Sequence, residues 1–319
     1  MQWGESGVTL LADILTILLN GLQQGAIYVL LAVGLSIILG TLKFVNFAHG
    51  ALYLVGAYLG LFITGQVPLN NGQLAEWGIQ SYGIGLGFVA ALVIVPIVVF
   101  IIGLLMERFI AQVFYDRPDT DQILVTFGLA IIVQELLRAL LGGSSQPFPQ
   151  PSWASGPIAL PVVGNFPRWR LGVIAITAVL VLGVYALVEY TDFGLIVQAG
   201  TLDGEMVRLL GIKLSRPYLV VFGIGAALAG VAGVVGGPLA NVNPNIGTEQ
   251  LVPAFLTVVI GGVGKIEGAV VAGLMLGTLQ VLLIQTGYAA WSQVGIYALA
   301  ALVLLVRPQG LLGSEVDVS

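Results

Sequence analysis

The stretch "GLSIILGTLKFVNFAHGALYLVGAYLG", residues 34–60, contains one residue that is charged at neutral pH, Lys43, and the only histidine of the chain, His49. Lys43 separates two intervals without any Asp, Glu, Lys or Arg, residues 14–42 and 44–75. Each interval has room for a helix of about 20 apolar residues, the length needed to cross the hydrocarbon layer of a membrane. The stretch therefore predicts two membrane-crossing helices that are joined near Lys43.

The composition of the whole chain agrees with this interpretation. Hydrophobic residues make up 58% and charged residues 8% of the 319 residues, whereas about 25% of the residues of a soluble domain are charged. We therefore expect an integral membrane protein that has the lipid bilayer as its solvent. The net charge of −5 argues against nucleic acid as a partner. Without cysteine there can be no disulfide or thiolate site, and no pattern predicts a catalytic, metal or cofactor site.

Apolar intervals along the chain predict an all-α bundle of about eight or nine membrane segments. We place these segments at residues 20–41, 47–66, 85–107, 122–141, 171–190, 217–237, 250–263, 267–285 and 290–306. The seventh is short and carries Pro253 near its start, which leaves open whether it spans the membrane or re-enters it. We expect residues 1–319 to form a single transmembrane domain.

The basic residues of the connecting segments predict the orientation, because cytoplasmic loops are enriched in Lys and Arg. Eight of them share one end of the predicted bundle: Lys43, Arg108, Arg117, Arg208, Lys213, Arg216, Lys265 and Arg307. Arg138, Arg168 and Arg170 share the other end. We therefore expect residues 191–216 to form the main cytoplasmic loop and residues 142–170 an external loop. The N-terminus is then outside and the C-terminus inside a cell inner (plasma) membrane.

Residues 194–213, "GLIVQAGTLDGEMVRLLGIK", have apolar side chains at helical spacing. The pattern at Leu195, Ala199, Leu202, Met206 and Leu209 predicts one short amphipathic helix in the cytoplasmic loop. Such a helix could lie flat on the membrane or dock on a cytosolic partner.

Few charged residues lie within the predicted membrane segments, and ion-coupled transporters need such charges. Glu135 and Arg138 are three residues apart, and we interpret them as a local pair near one end of their helix. Pairs of glycines four residues apart predict close helix packing. These pairs are Gly56 and Gly60, Gly233 and Gly237, and Gly273 and Gly277.

Polar residues within the apolar segments are candidates for a solute path, and we rank Gln24, Asn46 and Thr257 first. Asn46 and His49 lie on one helical face if the helix includes both. Two interpretations of His49 remain open. In the first, His49 bonds a backbone carbonyl where a helix begins, and in the second it lines an inner gate together with Asn46.

Several motifs resemble those of one transporter family. They are the "NFAHG" element at 46–50, "LVTFGLAIIVQELLR" at 124–138, "LDGEMVRLLGI" at 202–212, the long run from 241 to 277 and the closing "RPQGLLG". The chain is similar to the first of the two permease subunits of branched-chain amino acid ABC importers. One departure is Gln198, where that family usually has arginine.

The resemblance implies partners and roles. A solute-binding protein outside the cell would deliver an amino acid, a second permease subunit would complete the path, and two cytosolic ATPase subunits would drive transport. The residues implied in ATPase coupling are Leu195, Ala199, Leu202, Asp203, Met206, Leu209, Leu210 and Gly211. A permease for urea or short-chain amides is an alternative with similar motifs, and an ion-coupled secondary transporter is another.

Overall fold

The computed structural model describes residues 2–313, with side chains from residue 10 onward. Nine long helices of the described chain fall on the nine predicted segments. They are α1 (Gln2–Leu42), α2 (His49–Thr64), α4 (Phe88–Met106), α6 (Asp119–Leu141), α7 (Arg168–Tyr190), α10 (Ser215–Gly236), α11 (Ile246–Gly261), α12 (Ile266–Gln285) and α13 (Ser292–Val306). The prediction of an all-α integral membrane bundle is confirmed.

Shorter elements connect the long helices. They are α3 (Gln73–Glu76), a π-helical turn at Glu107–Ala111, α5 (Gln112–Phe114), α8 (Asp192–Leu202), α9 (Gly204–Leu209) and 3₁₀ turns at Ser152–Ala154, Gly237–Leu239 and Ala289–Trp291. Two antiparallel hairpins pair β1 (Val67–Pro68) with β2 (Ser81–Tyr82) and β3 (Pro157–Leu160) with β4 (Gly164–Pro167). The second hairpin gives regular structure to the predicted external loop.

Two of the long helices, α2 and α11, are too short to count as membrane spans. The helix α13 has 15 residues, but the 3₁₀ turn at Ala289–Trp291 extends it to an 18-residue span. Within the described residues, seven helices are long and apolar enough to cross a membrane, but α2 and α11 have 16 residues each. A 16-residue helix is about 24 Å long, less than the hydrocarbon thickness of about 30 Å. The seventh predicted segment is therefore a short helix, and α11 runs through Pro253 without a break.

The helix α2 is short because it begins inside the bundle. The His49 ring nitrogen Nε2 lies 3.1 Å from the carbonyl oxygen of Leu31 in α1, whereas α1 continues to Leu42. Measured along α1, the first residue of α2 therefore lies at the level of Leu31. This level is about 16 Å from the end of α1 at Leu42, because each helical residue adds 1.5 Å. Residues 43–48 return into the bundle as non-helical chain.

Side chains of α6 satisfy the backbone of this buried link. The Val45 amide donates to Gln122 Oε1 at 3.0 Å, and the Phe47 amide donates to Thr126 Oγ1 at 3.1 Å. Unpaired backbone groups are costly in a membrane, and irregular chain is tolerated at depth where protein partners satisfy it. Gln122 and Thr126 are both buried, which fits this role.

The second short helix, α11, also begins inside the bundle, where its first residues contact those of α2. A methyl group added at Gly50 would lie 2.5 Å from the Gly247 oxygen, and one added at Gly247 would lie 2.5 Å from the Gly50 oxygen. Leu251 and Leu54 are the next neighbours in this reciprocal contact. The beginnings of α2 and α11 therefore meet inside the bundle.

The predicted glycine packing faces are confirmed. Gly56 lies against the backbone of Gly230, Gly233 against Tyr53 and Gly277 against Gly25, each too close for a side chain. The three other members of the pairs, Gly60, Gly237 and Gly273, also contact neighbouring residues at distances that a methyl group would disturb. Close helix approach of this kind gives dispersion contacts where lipid offers no hydrophobic driving force.

The prediction of one amphipathic helix over residues 195–212 is wrong in its continuity. The chain forms α8 and α9, separated at Asp203, whose backbone angles (φ −149°, ψ 86°) are not helical. Apolar residues keep helical spacing on both sides of the break, so their periodicity did not reveal it.

Alanine substitution at Gly56 tests the close contact between α2 and α10. Gly56→Ala should destabilise the folded protein by about 1–3 kcal/mol because the methyl group overlaps the Gly230 backbone. Gly183→Ala is the matched control, since nothing lies within 4 Å of a methyl group there. It should be neutral or stabilising by up to about 1 kcal/mol. Thermal unfolding of the two purified variants compares them, and equal melting temperatures would contradict the packing.

Candidate functional site

The eight residues implied in ATPase coupling all lie on the exposed surface of α8, α9 and the turn that follows. We call them the α8–α9 patch: Leu195, Ala199, Leu202, Asp203, Met206, Leu209, Leu210 and Gly211. The exposed fraction reaches 89% at Leu202, 76% at Leu209 and 72% at Leu210. Large exposed apolar surfaces are common where proteins bind partners or membranes.

Local contacts fix α8 on the membrane helices. Thr191 caps its first turn, since its side-chain oxygen accepts a hydrogen bond from the Gly194 amide at 3.2 Å. The Tyr218 hydroxyl of α10 donates to the Gly200 carbonyl at 3.1 Å. Gln198, the departure from the family pattern, donates to the Val188 carbonyl of α7 at 2.9 Å.

The short helix α9 is fixed at both ends. Asp203 Oδ1 accepts a hydrogen bond from the Met206 amide at 2.9 Å, which makes Asp203 the N-cap. At the other end the Ile212 amide bonds the Val207 carbonyl and the Gly211 amide bonds the Arg208 carbonyl. This is a Schellman motif, in which Gly211 takes the left-handed conformation with φ of 82°. Asp203 and Gly211 thus hold the exposed leucines in place.

Of the four predicted path residues, Gln24 lines a cavity at the opposite end of the bundle. The cavity has a volume of about 270 Å³. Its polar lining residues are Asn20, Gln23, Gln24, Tyr53, Arg170, Gln250 and Gln285. Arg170 donates to the side-chain oxygen of Asn20 across this cavity. The environment of Gln24 is polar, as the prediction requires.

The three other predicted path residues are buried between helices. Thr257 donates to the Pro253 carbonyl at 2.8 Å within α11. His49 is fully buried and its Nε2 meets the Leu31 carbonyl, which is the contact expected from the packing interpretation. Asn46 is also buried, and neither polar atom of its amide has a partner among the described residues. A role of these residues in the path stays a prediction.

A polar network that the sequence did not reveal joins α6 to the beginning of α11. Arg138 Nη2 donates to Asn245 Oδ1 at 2.6 Å, and Gln134 Nε2 donates to the same oxygen at 3.2 Å. Thr248 Oγ1 donates to Gln134 Oε1 at 2.9 Å. The predicted ion pair of Arg138 with Glu135 is confirmed at 3.3 Å. The contacts to Asn245 and Thr248 span more than 100 residues, so local sequence gave no signal for them.

An α-helical membrane bundle with polar chain deep inside it and an uncovered apolar surface at one end has the architecture of a transporter's membrane subunit. The chain belongs to the family described as branched-chain amino acid transport system / permease component, whose model matches residues 17–306.

Individual relatives cover nearly the whole chain. It is 31% identical to the high-affinity branched-chain amino acid transport system permease protein LivH of Escherichia coli K12, over 92% of this chain and 94% of the relative. It is 30% identical to the corresponding protein BraD of Pseudomonas aeruginosa, over 93% and 94%. The fructose import permease protein FruF of Bifidobacterium longum is 23% identical, over 96% and 80%. No solved structure matches the chain significantly.

Substitutions at Asp203 test the cap of α9. Asp203→Ala should remove the hydrogen-bond acceptor of the Met206 amide and destabilise α9 by about 0.5–2 kcal/mol. This loss corresponds to a roughly 2- to 30-fold faster hydrogen exchange of the Met206 amide. Asp203→Asn keeps a capping oxygen and should exchange at nearly the wild-type rate. Hydrogen exchange of residues 204–211 measures both, and equal acceleration in the two variants would contradict the cap.

Proposed function

We propose that the chain is a permease subunit of an ABC importer for branched-chain or other neutral amino acids. The observation that carries this proposal is the α8–α9 patch, an apolar surface outside the long membrane helices that is held rigid by Asp203 and Gly211. Separate ATPase subunits would bind this patch and supply the energy, so that the chain itself does not hydrolyse ATP.

The shape of the patch supports a protein partner. Leu202, Leu209 and Leu210 are more than 70% exposed, although two capping motifs order the backbone beneath them. A preformed surface loses little conformational entropy when a partner binds. Basic side chains flank the patch at Arg208 and Lys213, and they would meet acidic groups on the rim of a partner.

The orientation follows from the same proposal. The end of the bundle that carries the α8–α9 patch also carries eight of the eleven basic residues and would face the cytoplasm of the cell. The N-terminus would then be outside and the C-terminus inside. An extracytoplasmic binding protein would dock at the other end, where the β3–β4 hairpin lies, and a second permease subunit would complete the path across the inner membrane.

The choice of solute rests on relatives. LivH and BraD, at 31% and 30% identity, carry names that specify branched-chain amino acids, which favours a neutral amino acid over urea or a short-chain amide. An ion-coupled secondary transporter would import solute with this chain alone, whereas an ABC permease subunit requires its ATPases.

Leu202→Asp combined with Leu209→Asp tests ATPase binding at the patch. The two introduced carboxylates would be buried when the ATPase binds. They should reduce retention of the ATPase subunits during purification by about 10-fold or more, since loss of a central apolar contact costs over 1.4 kcal/mol. ATP-driven uptake of leucine should fall with it. Leu86→Asp is the matched control, an exposed leucine (59%) at the other end of the bundle, and should retain both.

Normal ATPase retention by the double variant would overturn this role of the patch. It is the result expected if α8 and α9 lie flat on the membrane. Proton-dependent uptake by the chain alone would favour the secondary transporter instead.

A further inference from the structure

We propose that Arg138, positioned by Gln134 and Asn245, is the site in the translocation path that contacts the carboxylate of a zwitterionic amino acid. This inference rests on the proposed function and specifies which residues meet the solute. It concerns a different surface from the α8–α9 patch.

The depth at which α11 begins is the first reason for this proposal, since Arg138 reaches the first residues of α11 from near the end of α6. Gly247 contacts Gly50, which is 14 residues before the end of α2 at Thr64 and therefore about 21 Å from that end. Thr248 and Glu249 follow directly in α11, and both are exposed in this single chain. Their level is deep within the membrane.

Exposure of these groups to lipid is energetically unfavourable. A carboxylate facing hydrocarbon costs at least several kcal/mol, and even a hydroxyl or amide is costly without a partner. The surface formed by Asn245, Thr248 and Glu249 must therefore border water or another protein. A path for a polar solute between two permease subunits supplies both.

The arrangement of α6 leads to the same conclusion. This helix is apolar enough to cross a membrane but is almost unburied in the single chain. Its inner side carries Gln134 and Arg138, which face the beginning of α11 rather than lipid. Leu124, Ile132 and Leu136 lie on the remaining surface and are exposed, where lipid or the second permease can cover them.

The chemistry of Arg138 fits a carboxylate. A guanidinium has five N–H donors, and within the described residues Arg138 uses one on Asn245 and one on Glu135. The side chain is 40% exposed, so the remaining donors are accessible. A planar fork of N–H groups matches a carboxylate in bidentate geometry.

The neighbouring groups set the strength and the direction of this contact. Glu135 lies 3.3 Å from Arg138 and competes with the solute carboxylate for the guanidinium. Asn245 Oδ1 accepts from both Arg138 and Gln134, which fixes the direction of the arginine side chain. Glu249, the residue after Thr248 in α11, is also exposed.

Uptake of radiolabelled leucine by the complete reconstituted assembly tests this inference. Arg138→Gln should lower the maximal uptake rate per assembled complex about 10- to 100-fold, because a charge-assisted hydrogen bond contributes roughly 1.5–3 kcal/mol. Solute-independent ATP hydrolysis and the yield of assembled complex should remain. Arg138→Lys keeps the charge and should transport at an intermediate rate. Arg168→Gln, which changes an exposed arginine at the same end of the bundle, should transport within about 2-fold of wild type.

A purely structural role of Arg138 predicts a different result for its ion-pair partner. Glu135→Gln removes the competing carboxylate, so the carboxylate site predicts a lower KM for the solute-loaded binding protein with transport retained. If Arg138 served only to pair with Glu135, Glu135→Gln would impair transport as Arg138→Gln does.

Uptake per complex at the wild-type rate in Arg138→Gln would overturn the inference, as would a loss of transport in Glu135→Gln. If Arg138→Gln lowers the yield of complex, uptake is compared per complex in Arg138→Lys, where a rate equal to that of wild type overturns the bidentate site. Failure of the wild-type assembly to import leucine is a separate outcome that refutes the proposed function itself.

Discussion

The contact between Gly50 and Gly247 is the constraint on which the rest of the structure depends. Two backbones can approach so closely only where neither residue has a side chain, and here the contact brings together the beginnings of two helices rather than their middles. Because α2 and α11 both begin at this point, the chain must enter the bundle twice in non-helical form. Gln122 and Thr126 accept hydrogen bonds from the backbone of the segment before α2. Reciprocal backbone hydrogen bonds between Gln146 and Val242 fix the segment before α11.

This construction places polar groups deep in the membrane while the surrounding helices stay apolar. Asn245, Thr248 and Glu249 reach their level because α11 begins there, and Arg138 reaches them from α6. The surface that we propose for ATPase binding, the α8–α9 patch, lies at the end of the bundle and connects directly to α10 through Tyr218. Since α10 also packs against α2 at Gly56 and Gly230, one helix connects the α8–α9 patch to the helices that begin inside the bundle.

The sequence predicted the helices well, because each long charge-free interval is a strong and local signal. It did not predict that α2 and α11 begin at depth, since residues 44–75 contain no charge and a buried link resembles a helix in composition. The break at Asp203 was missed because apolar spacing continued through it. The network around Asn245 was missed because its partners are more than 100 residues apart, whereas the Glu135–Arg138 pair, three residues apart, was predicted correctly.

The solute path requires that water reaches Thr248 in the assembled protein. The chain contains no cysteine, so a single Thr248→Cys substitution can be labelled with a membrane-impermeant thiol reagent. This cysteine should react in membranes, whereas Val179→Cys, 70% exposed on the apolar surface of α7, should not. A Thr248→Cys variant that stays unlabelled from both sides of the membrane, during transport and at rest, would contradict the claim that the interrupted helices form a solute path.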